Sequence, residues 1–437
     1  MQDDVHKMKR PLFTHWDIAI VGAGAAGLMA AISAARSAPP GTRILLIDGR
    51  QHIGAKILMS GGTRCNVTNR IVQPSDFHGG PRHIIQHVLE AFTGEQAAQF
   101  FRDLGVTLVL EPGGKYFPST HSGQTILDAL VREVQRLGVT LQRGARVTTV
   151  AQSEEGFRLQ TSDGDRVSHA VILTPGGRSY PTTGSDGTGY DIARSLGHAI
   201  VQPSPALTPL TTDDPDWRAL SGVTLPVRLM LWRNRKPVAQ YADSFLFTHT
   251  GFSGPAALNM SRHWIREGWQ GPVICRISFL PVEDPDAFQR DWPPGRTPTQ
   301  TIKRWLADRM PERVAEVLLK KVGVPSSKII NQLTREERQR LLEGLFRYPL
   351  EVSGVVGYRK AEATAGGVDL TEVRAATLAS RLVPGLYFAG EMLDVDGRIG
   401  GFNFQWAWSS GMVAGRAAAN VVRESGDRAK TTKSSGR

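Results

Sequence analysis

The stretch DIAIVGAGAAG at residues 17–27 passes from a short apolar strand into a glycine-rich turn and an alanine-rich helix. In such a turn Gly22 allows the tight bend, Gly24 lets the backbone approach a pyrophosphate, and Gly27 permits close packing of the helix. The next strand ends on Asp48, whose carboxylate can accept the hydroxyls of an adenosine ribose. The sequence therefore predicts a βαβ unit that binds a dinucleotide, with the phosphate charge at the helix N-terminus.

The apolar run around this turn is long enough to resemble a membrane span. Residues 18–35 contain no charged side chain. However, glycines interrupt the run where a strand must turn into a helix, and the acidic Asp3 and Asp4 are unlike the start of a signal peptide. We therefore expect neither a membrane segment nor an export signal.

Length and composition indicate a protein of several subdomains. The chain has 437 residues, and a single hydrophobic core stops growing at about 250–300 residues. Its 41% hydrophobic and 21% charged residues argue against global disorder. The cysteines are Cys65 and Cys275 alone, which favours a reducing, cytoplasmic location and argues against a disulfide framework or a bound metal.

The net charge of +11 is concentrated in three segments. Counting Lys and Arg against Asp and Glu gives +4 for residues 228–236, +5 for residues 301–347 and +3 for residues 423–437, which leaves about −1 for the rest. Basic segments on a near-neutral body favour a partner that carries many phosphates, such as a nucleic acid. The alternative is a solvated helical surface with a loose tail.

The order of predicted elements indicates a dinucleotide-binding domain that is interrupted by an insertion. Strands and helices alternate over residues 1–198, and proline-rich, β-like runs follow over residues 199–284. Residues 285–347 have the pattern of a small helical subdomain. Residues 348–422 return through the β-rich domain and complete the first domain, and we predict a disordered basic tail at residues 423–437.

The C-terminal part indicates that the dinucleotide is FAD. Gly390 and Glu391 directly follow a buried-type strand, where the carboxylate can accept the ribityl hydroxyls of a flavin. Gly400, Gly401 and Asn403 then begin a helix that can direct backbone N–H groups at the pyrimidine edge of the flavin. NAD needs no such second contact, so these residues favour FAD.

A loop rich in glycine, GAKILMSGGTRCNVTN at residues 54–69, follows the second strand and can bring Lys56 and Arg64 near phosphate or an electron-rich reduced flavin. This loop and several later motifs resemble those of the BaiN/RdsA family of FAD-dependent oxidoreductases, and the resemblance covers nearly the whole chain. The supporting motifs are TPGGRSYPTTGSDGTGYDIARSLGH at 174–198, LFTHTGFSGP at 246–255, and AEATAGGVDL, FAGEMLDVDG and GGFNFQWAWSSGMVAG within 361–415. Ala55 departs from the family pattern, which has a larger and often basic residue there, and Thr63 stands where a third glycine is usual.

The resemblance implies an α/β fold with a Rossmann-like FAD-binding domain of the two-dinucleotide-motif kind, an inserted β-barrel-like domain and a small helical subdomain. It also implies FAD as cofactor and reduction of activated carbon–carbon double bonds, in some relatives of steroid-like enones and in others of uracil in ribosomal RNA. The residues assigned to the FAD site are Gly22, Gly24, Ala25, Ala26, Gly27, Asp48, Lys56, Ser60, Gly61, Arg64, Asn66, Val147, Gly176, Gly390, Glu391, Gly400, Gly401, Asn403 and Phe404.

Both reactions require a hydride from the reduced flavin at the electron-poor carbon and a proton at the neighbouring carbon. Cys65 is a candidate catalytic proton donor because a thiol titrates near neutrality, and packing beneath the flavin is the alternative role. Tyr180, His249 and Arg398 are further candidates.

The chain has no second dinucleotide fingerprint, so NAD(P)H is expected to reduce the flavin from the face that the substrate later occupies. Three functions stay open. The first is a reductase of uracil in ribosomal RNA, which the basic segments favour. The second is a reductase of small polycyclic enones, which would need an apolar pocket and no excess of positive charge. The third is a flavoprotein that binds RNA or another partner without turnover.

Overall fold

The computed structural model describes residues 15–290, 292 and 299–434, with side chains described as far as Arg423. In this part of the chain the strands are, in order, β1 His15–Val21, β2 Ile44–Asp48, β3 Thr68–Asn69, β4 Phe77–Gly79, β5 Leu108–Glu111, β6 Lys115–Pro118, β7 Thr140–Arg143, β8 Val147–Ser153, β9 Gly156–Thr161, β10 Arg166–Leu173, β11 Ile200–Ala206, β12 Leu210–Thr211, β13 Thr224–Arg233, β14 Lys236–Thr248, β15 Gly251–Ser253, β16 Val273–Ser278, β17 Tyr348–Leu350, β18 Gly354–Val355, β19 Ala363–Val368, β20 Leu386–Phe388 and β21 Val395–Gly397.

The α-helices of the same part are α1 Ala25–Ser37, α2 Ala55–Met59, α3 Arg82–Ala91, α4 Gly94–Asp103, α5 Gly123–Arg136, α6 Thr188–Ser195, α7 Pro215–Arg218, α8 Gly254–Gly268, α9 Pro285–Arg290, α10 Ile302–Ala307, α11 Glu312–Val322, α12 Arg335–Arg347 and α13 Phe402–Ser434. Two compact units make up the chain. The first unit contains residues up to Pro203 and those from Ala365 onward, and the second unit contains Ser204–Thr364.

The first unit is built on a seven-stranded sheet with the order β7-β2-β1-β10-β9-β8, to which β20 adds by pairing with β10. The strands β7, β2, β1, β10 and β20 are parallel to one another. Ile18 and Ile20 of β1 and Leu46 of β2 are fully buried, as expected of a parallel sheet covered on both faces. The carboxyl ends of β1, β2 and β10 meet at one edge, where open α/β sheets bind their ligands.

The C-terminal helix α13 packs closely on α1, the helix of the dinucleotide turn. A Cβ atom added at Gly411 would lie 2.5 Å from the carbonyl oxygen of Ala26, and one at Gly415 would lie 2.3 Å from that of Ala30. The Ser33 hydroxyl also donates a hydrogen bond of 2.7 Å to the carbonyl oxygen of Met412. The two glycines, one helical turn apart, allow the backbones of α1 and α13 to approach, so that both ends of the chain share one core.

The second unit contains an antiparallel sheet with the order β17-β16-β13-β14-β15-β12-β18. Its long hairpin of β13 and β14 packs against α8, and the sheet and the helices α10 to α12 contribute to one continuous hydrophobic core. Trp217 lies in this core, stacked on Phe247 with the ring centroids 5.7 Å apart. The predicted boundaries between a β-rich part and a helical part stay predictions.

Two elements differ from what the sequence pattern predicts. The periodicity predicts one helix over residues 301–322, whereas the structure has α10 and α11, with Pro311 at the N-cap of α11. Proline has no N–H to donate and clashes with the preceding turn, which ends α10. The helix α13 extends to Ser434, into the segment 423–437 for which the sequence predicts a disordered tail. None of the helices in the described ranges is long and apolar enough to span a membrane.

Candidate active site

The glycine-rich turn lies between the end of β1 and the start of α1. Gly22 has a φ of +102°, and a Cβ added there would lie 2.5 Å from the carbonyl oxygen of Thr174. A Cβ added at Gly27 would lie only 1.8 Å from the carbonyl oxygen of Gly22, which accepts a 2.8 Å hydrogen bond from the Thr174 hydroxyl. The first and third glycines are therefore required by the close packing of the turn itself.

Gly24 is different from the other two glycines. It is the N-cap of α1 with ordinary extended backbone (φ −83°), and no side chain caps the helix there. A Cβ added at Gly24 would have no described atom within 4 Å beyond its chain neighbours. Since the first turn of α1 also lacks an acidic residue, the free N–H groups and the helix dipole favour an anionic group in this open space.

Asp48 lies beside this turn at the end of β2. Its Oδ2 accepts a 2.7 Å hydrogen bond from the backbone N–H of Ala23, and its Oδ1 accepts one of 2.8 Å from the backbone N–H of Arg50. These two bonds fix the direction of the carboxylate. Because each carboxylate oxygen has a second lone pair, Asp48 can still accept the two hydroxyls of a ribose.

A charged cluster joins the N-terminal and C-terminal parts of the site. The Lys56 ammonium donates a 2.8 Å hydrogen bond to the Ser179 hydroxyl and a further bond to Oε2 of Glu391. The Ser179 hydroxyl in turn donates a 2.7 Å bond to Oε1 of Glu391. A Cβ added at Gly176 would lie 3.9 Å from the Lys56 ammonium, so this glycine borders the same cluster. Lys56, Gly176 and Glu391, three residues assigned to the FAD site from the sequence, thus lie together, whereas sequence reasoning missed Ser179.

Asn66 carries an acceptor that has no partner in the described part of the chain. Its side chain is 9% exposed, and its Oδ1 atom is buried without a hydrogen bond. A Cβ added at Gly401, whose φ is +92°, would lie 2.8 Å from this oxygen. Buried acceptors are rarely left unsatisfied. The oxygen therefore fits an N–H donor of a bound group at the start of α13, such as the pyrimidine edge of a flavin.

Gly390 connects the C-terminal segment to the dinucleotide turn. With a φ of +78°, it lies so close to α1 that an added Cβ would be 2.7 Å from the Cβ of Ala26. Its N–H donates to the Ser410 hydroxyl at 2.9 Å, and its carbonyl oxygen accepts a 3.1 Å bond from the indole N–H of Trp406. These contacts hold Glu391 at its position beside Lys56.

Several predicted cofactor residues already have protein partners. The Arg64 guanidinium forms a 2.8 Å ion pair with Glu111 and lies 4.1 Å above the centroid of the Phe117 ring. Asn403 makes two 2.9 Å hydrogen bonds to the backbone of Gly397, and the Phe404 ring stacks on Trp408 at 5.5 Å. In this structure the side chains of Arg64, Asn403 and Phe404 therefore contact neighbouring protein groups.

The remaining predicted cofactor residues lie in β8, at the start of α1 and in the loop before Asn66. Val147 is buried in β8, and Ala25 and Ala26 belong to the first turn of α1. The Ser60 hydroxyl donates a 3.1 Å bond to the carbonyl oxygen of Ile57. Gly61 has a φ of +56°, and a Cβ added there would lie 3.2 Å from the backbone nitrogen of Asn66. These residues shape the loop that holds Asn66.

Cys65 is completely buried, and burial raises the pKa of its thiol to about 12. Its φ of +58° belongs to the left-handed region, and its backbone N–H donates to the carbonyl oxygen of Ser60 at 3.0 Å. A thiol of this pKa is a weak acid near neutrality. The burial favours the packing role over the catalytic one.

The other proton-donor candidates are dispersed. Tyr180 has a φ of +47° and directly follows Ser179, next to the charged cluster. His249 belongs to the second unit, is exposed, and contributes its carbonyl oxygen to a 2.7 Å bond from Arg218. Arg398 pairs with Asp76 at 2.7 Å, just ahead of α13. Of the three, Tyr180 is adjacent in sequence to the cluster.

Comparisons with known proteins show the family of this chain. Residues 16–417 match the family model described as the HI0933-like protein Rossmann domain. The chain is similar to the ribosomal RNA dihydrouridine synthase of Escherichia coli (strain K12), with 35% identity over 398 residues that cover 90% of this chain and 96% of that protein. It is also similar to the 3-dehydro-bile acid delta(4,6)-reductase of Clostridium scindens, with 32% identity over 406 residues, 92% of this chain and 98% of that protein.

A solved structure supports the fold alone. The crystal structure of 3-ketosteroid-delta4-(5alpha)-dehydrogenase from Rhodococcus jostii RHA1, in complex with 4-androstene-3,17-dione, superposes with a TM-score of 0.51 at 14% identity and covers 95% of this chain and 99% of that one. The fold class, the family and the class of enzyme predicted from the sequence are confirmed. This chain belongs to the HI0933-like family and is an FAD-dependent oxidoreductase.

Proposed function

We propose that this chain uses NAD(P)H to reduce an activated carbon–carbon double bond, and that its substrate is a uracil base of ribosomal RNA, which becomes dihydrouridine. The names of two relatives support this class of substrate. The E. coli relative at 35% identity is named a ribosomal RNA dihydrouridine synthase, and a Haemophilus influenzae relative at 32% identity over 90% of this chain has the same name.

The single observation that supports the place of the cofactor is the buried Oδ1 atom of Asn66. It lacks a hydrogen-bond partner among the described residues and lies near Gly401, so an N–H of the flavin's pyrimidine edge, bound at the start of α13, would satisfy it. Together with the open N-terminus of α1 at Gly24, this acceptor defines two ends of a site that suits FAD. FAD held there supplies hydride transfer to an electron-poor carbon.

Different residues of this chain would bind different parts of the cofactor. The N-terminus of α1 would hold the pyrophosphate, and Asp48 would accept the adenosine ribose hydroxyls. The cluster of Lys56, Ser179 and Glu391 would orient the ribityl chain, because its carboxylate can accept hydrogen bonds from the hydroxyls while its ammonium offsets the local negative charge. The absence of a second fingerprint in the sequence supports a donor nicotinamide that shares the substrate's site.

A second function is supported by one specific observation. The Clostridium scindens relative, at 32% identity over 92% of this chain, is named a bile acid reductase, so a small polycyclic enone is the alternative substrate. The structure also weakens the argument from total charge. In the segment 301–347, Lys320 pairs with Asp216 and Lys321 pairs with Asp214, two acids that lie outside the segment, so that part of its net charge of +5 is offset.

Anaerobic stopped-flow measurements separate the two proposals. The first half-reaction follows bleaching of the flavin by NADH or NADPH. The second follows reoxidation of the reduced enzyme by an unmodified ribosomal RNA transcript or by a steroid enone, with mass spectrometry of the product. We expect reduction by a nicotinamide, then reoxidation by the RNA with formation of dihydrouridine. Reoxidation by the enone alone would transfer the assignment to the second function, and a flavin that no nicotinamide reduces would exclude both.

A further inference from the structure

The basic segment 228–236 forms the tip of a long hairpin in the second unit. The strands β13 and β14 are joined by a two-residue turn in which Asn234 has a φ of +50° and Arg235 a φ of +62°. Glycine is the usual residue at the second position of such a turn. The sequence instead places an arginine in this strained conformation, and the side chains of Arg235 and its neighbour Lys236 are exposed. The turn thus presents two adjacent cations to solvent.

The end of α8 lies beside this turn. Arg233 forms a 3.0 Å ion pair with Glu267 and donates a further hydrogen bond to the side chain of Gln270. These contacts tie the hairpin to the segment that follows α8. The first residue of that segment, Trp269, is 48% exposed, and the Arg266 guanidinium lies 5.6 Å from the centroid of its ring. An exposed indole therefore lies near the cationic turn.

An exposed aliphatic residue continues this surface. Ile274 of β16 is 50% exposed and stands opposite Trp232 in the strand register. Large apolar side chains that are exposed together with cations mark surfaces that bind a partner more often than isolated ones do. We call residues 233–236 with residues 266–274 the hairpin end.

The charge around the hairpin end is one-sided. Residues 224–278 contain seven Arg and Lys residues but only the acids Asp243 and Glu267, and Glu267 is engaged by Arg233. Neither Arg235 nor Lys236 has an ion pair within the described ranges. The helical segment differs, since Lys320 pairs there with Asp216 of α7 and Lys321 pairs with Asp214, the residue before α7. The unneutralised positive charge of the second unit therefore includes the hairpin end.

We propose that the hairpin end binds single-stranded RNA, with Arg235 and Lys236 on phosphates and Trp269 stacked on a base. The inference rests on the proposed function, because a uracil ring can be reduced only where it is unstacked, as in a single-stranded or loop region. Cations that follow the backbone together with aromatic rings under the bases are the combination by which proteins hold unpaired strands. The hairpin end supplies both components in one unit of the fold.

The test compares two variants of the full-length protein that carry equal charge. Arg235→Gln with Lys236→Gln removes the two proposed phosphate contacts, and Arg132→Gln with Arg416→Gln removes two exposed cations of the first unit. Each pair lowers the formal net charge from +11 to +9. Fluorescence anisotropy with a labelled, unmodified ribosomal RNA fragment, repeated over a range of salt concentrations, gives the affinity and its salt dependence. The flavin absorbance of each protein reports its folding.

We expect the hairpin variant to bind about 25-fold more weakly at about 0.1 M salt. Each phosphate contact on a single strand contributes a slope of about 0.7 in log affinity against log salt, so two contacts contribute about 1.4, which amounts to about 25-fold over the tenfold range from about 1 M to about 0.1 M salt. The control variant should retain the affinity and slope of the wild type. Trp269→Ala should lose about tenfold in affinity with the slope unchanged, since stacking is not an ionic contact.

The other outcomes are distinct. If the wild type binds the RNA and all variants bind equally well, the hairpin end is not the docking surface although the proposed function stands. Equal losses in the hairpin and control variants would show a general charge effect and overturn the proposal. Binding of phosphatidylglycerol vesicles that depends on Arg235 and Lys236, with RNA binding unaffected, would assign the surface to a membrane instead. If the wild type neither binds nor reduces the RNA, the proposed function itself fails.

Discussion

The second and third glycines of the dinucleotide turn, Gly24 and Gly27, should respond in opposite ways to an added side chain. At Gly24 the backbone is extended (φ −83°) and an added Cβ has no described atom within 4 Å beyond its chain neighbours, so Gly24→Val should fold normally. At Gly27 an added Cβ would lie 1.8 Å from the carbonyl oxygen of Gly22 and 2.7 Å from the Thr174 hydroxyl. Gly27→Ala must therefore move the backbone of the turn.

The magnitudes follow from this difference. Forcing a methyl group into a packed site costs about 1–3 kcal/mol, and each kcal/mol lowers the melting temperature by about 2–4 °C for a domain of 150–250 residues. Gly27→Ala should thus melt several degrees lower even without cofactor. Gly24→Val should match the melting temperature of the cofactor-free wild type but bind no FAD, because its side chain fills the space for the pyrophosphate.

The assay is thermal unfolding of the three proteins after removal of the flavin, followed by titration with FAD. Cofactor-free protein is needed because bound FAD would itself raise the melting temperature of the wild type. The reasoning is refuted if Gly24→Val binds FAD as well as the wild type. A Gly24→Val protein that melts as low as Gly27→Ala would also contradict it, since the space at Gly24 would then be filled by protein.

Three further predictions concern single side chains. Burial raises the pKa of both Cys65 and Cys275 to about 12, so neither thiol should be alkylated in native protein at about pH 8. Cys65→Ser should keep the rate at which substrate reoxidises the flavin, whereas loss of a general acid would lower that rate by about 10²-fold. Ser179→Ala should weaken FAD binding while Ser179→Thr restores it, because the hydroxyl links Lys56 to Glu391; equal affinities in equilibrium titration would contradict this role. Burial lowers the pKa of His198 from its usual 6.5 despite its hydrogen bond to a glutamate. The folded state therefore favours the neutral imidazole. The free energy of unfolding should fall as the pH drops below about 6.5, and it should fall more steeply in the wild type than in His198→Gln. Free energies of unfolding that change in parallel with pH in the two proteins would exclude this.

The dinucleotide turn could be predicted from the sequence because its constraints are local. Gly22 and Gly27 are required by backbone contacts within the turn and with the adjacent strand, and Asp48 ends the strand that follows. The C-terminal glycines are of the same kind, since Gly390 and Gly401 both require a positive φ. Such positions show in the sequence because few other residues tolerate them.

The side-chain pairings could not be predicted in this way. Ser179 lies 123 residues from Lys56 and 212 residues from Glu391 in the chain, yet its hydroxyl bonds to both. In the same way, Arg64 is a residue type that suits an anionic ligand, but its guanidinium forms an ion pair with Glu111 of a neighbouring hairpin. A pairing of this kind depends on where two distant segments meet, and the sequence around each partner carries no sign of it.

The burial of Cys65 illustrates a further limit. The residue type makes Cys65 a candidate proton donor, but this loop turns the thiol inward, with the backbone of Cys65 in the left-handed region at φ +58°. The glycines Gly61 and Gly62 on the same loop also have positive φ values. The sequence indicates that the loop is tightly turned, whereas only the coordinates show which side chains it buries.

The most direct test of the proposed function is the dihydrouridine content of ribosomal RNA in cells that lack this chain. Nucleosides from purified ribosomal RNA would be quantified by mass spectrometry in the parent strain, the deletion strain, and the deletion strain that expresses either the wild type or Gly24→Val. We predict that dihydrouridine is lost in the deletion strain, returns with the wild-type protein and stays absent with Gly24→Val. An unchanged dihydrouridine content in the deletion strain would contradict the assignment to ribosomal RNA.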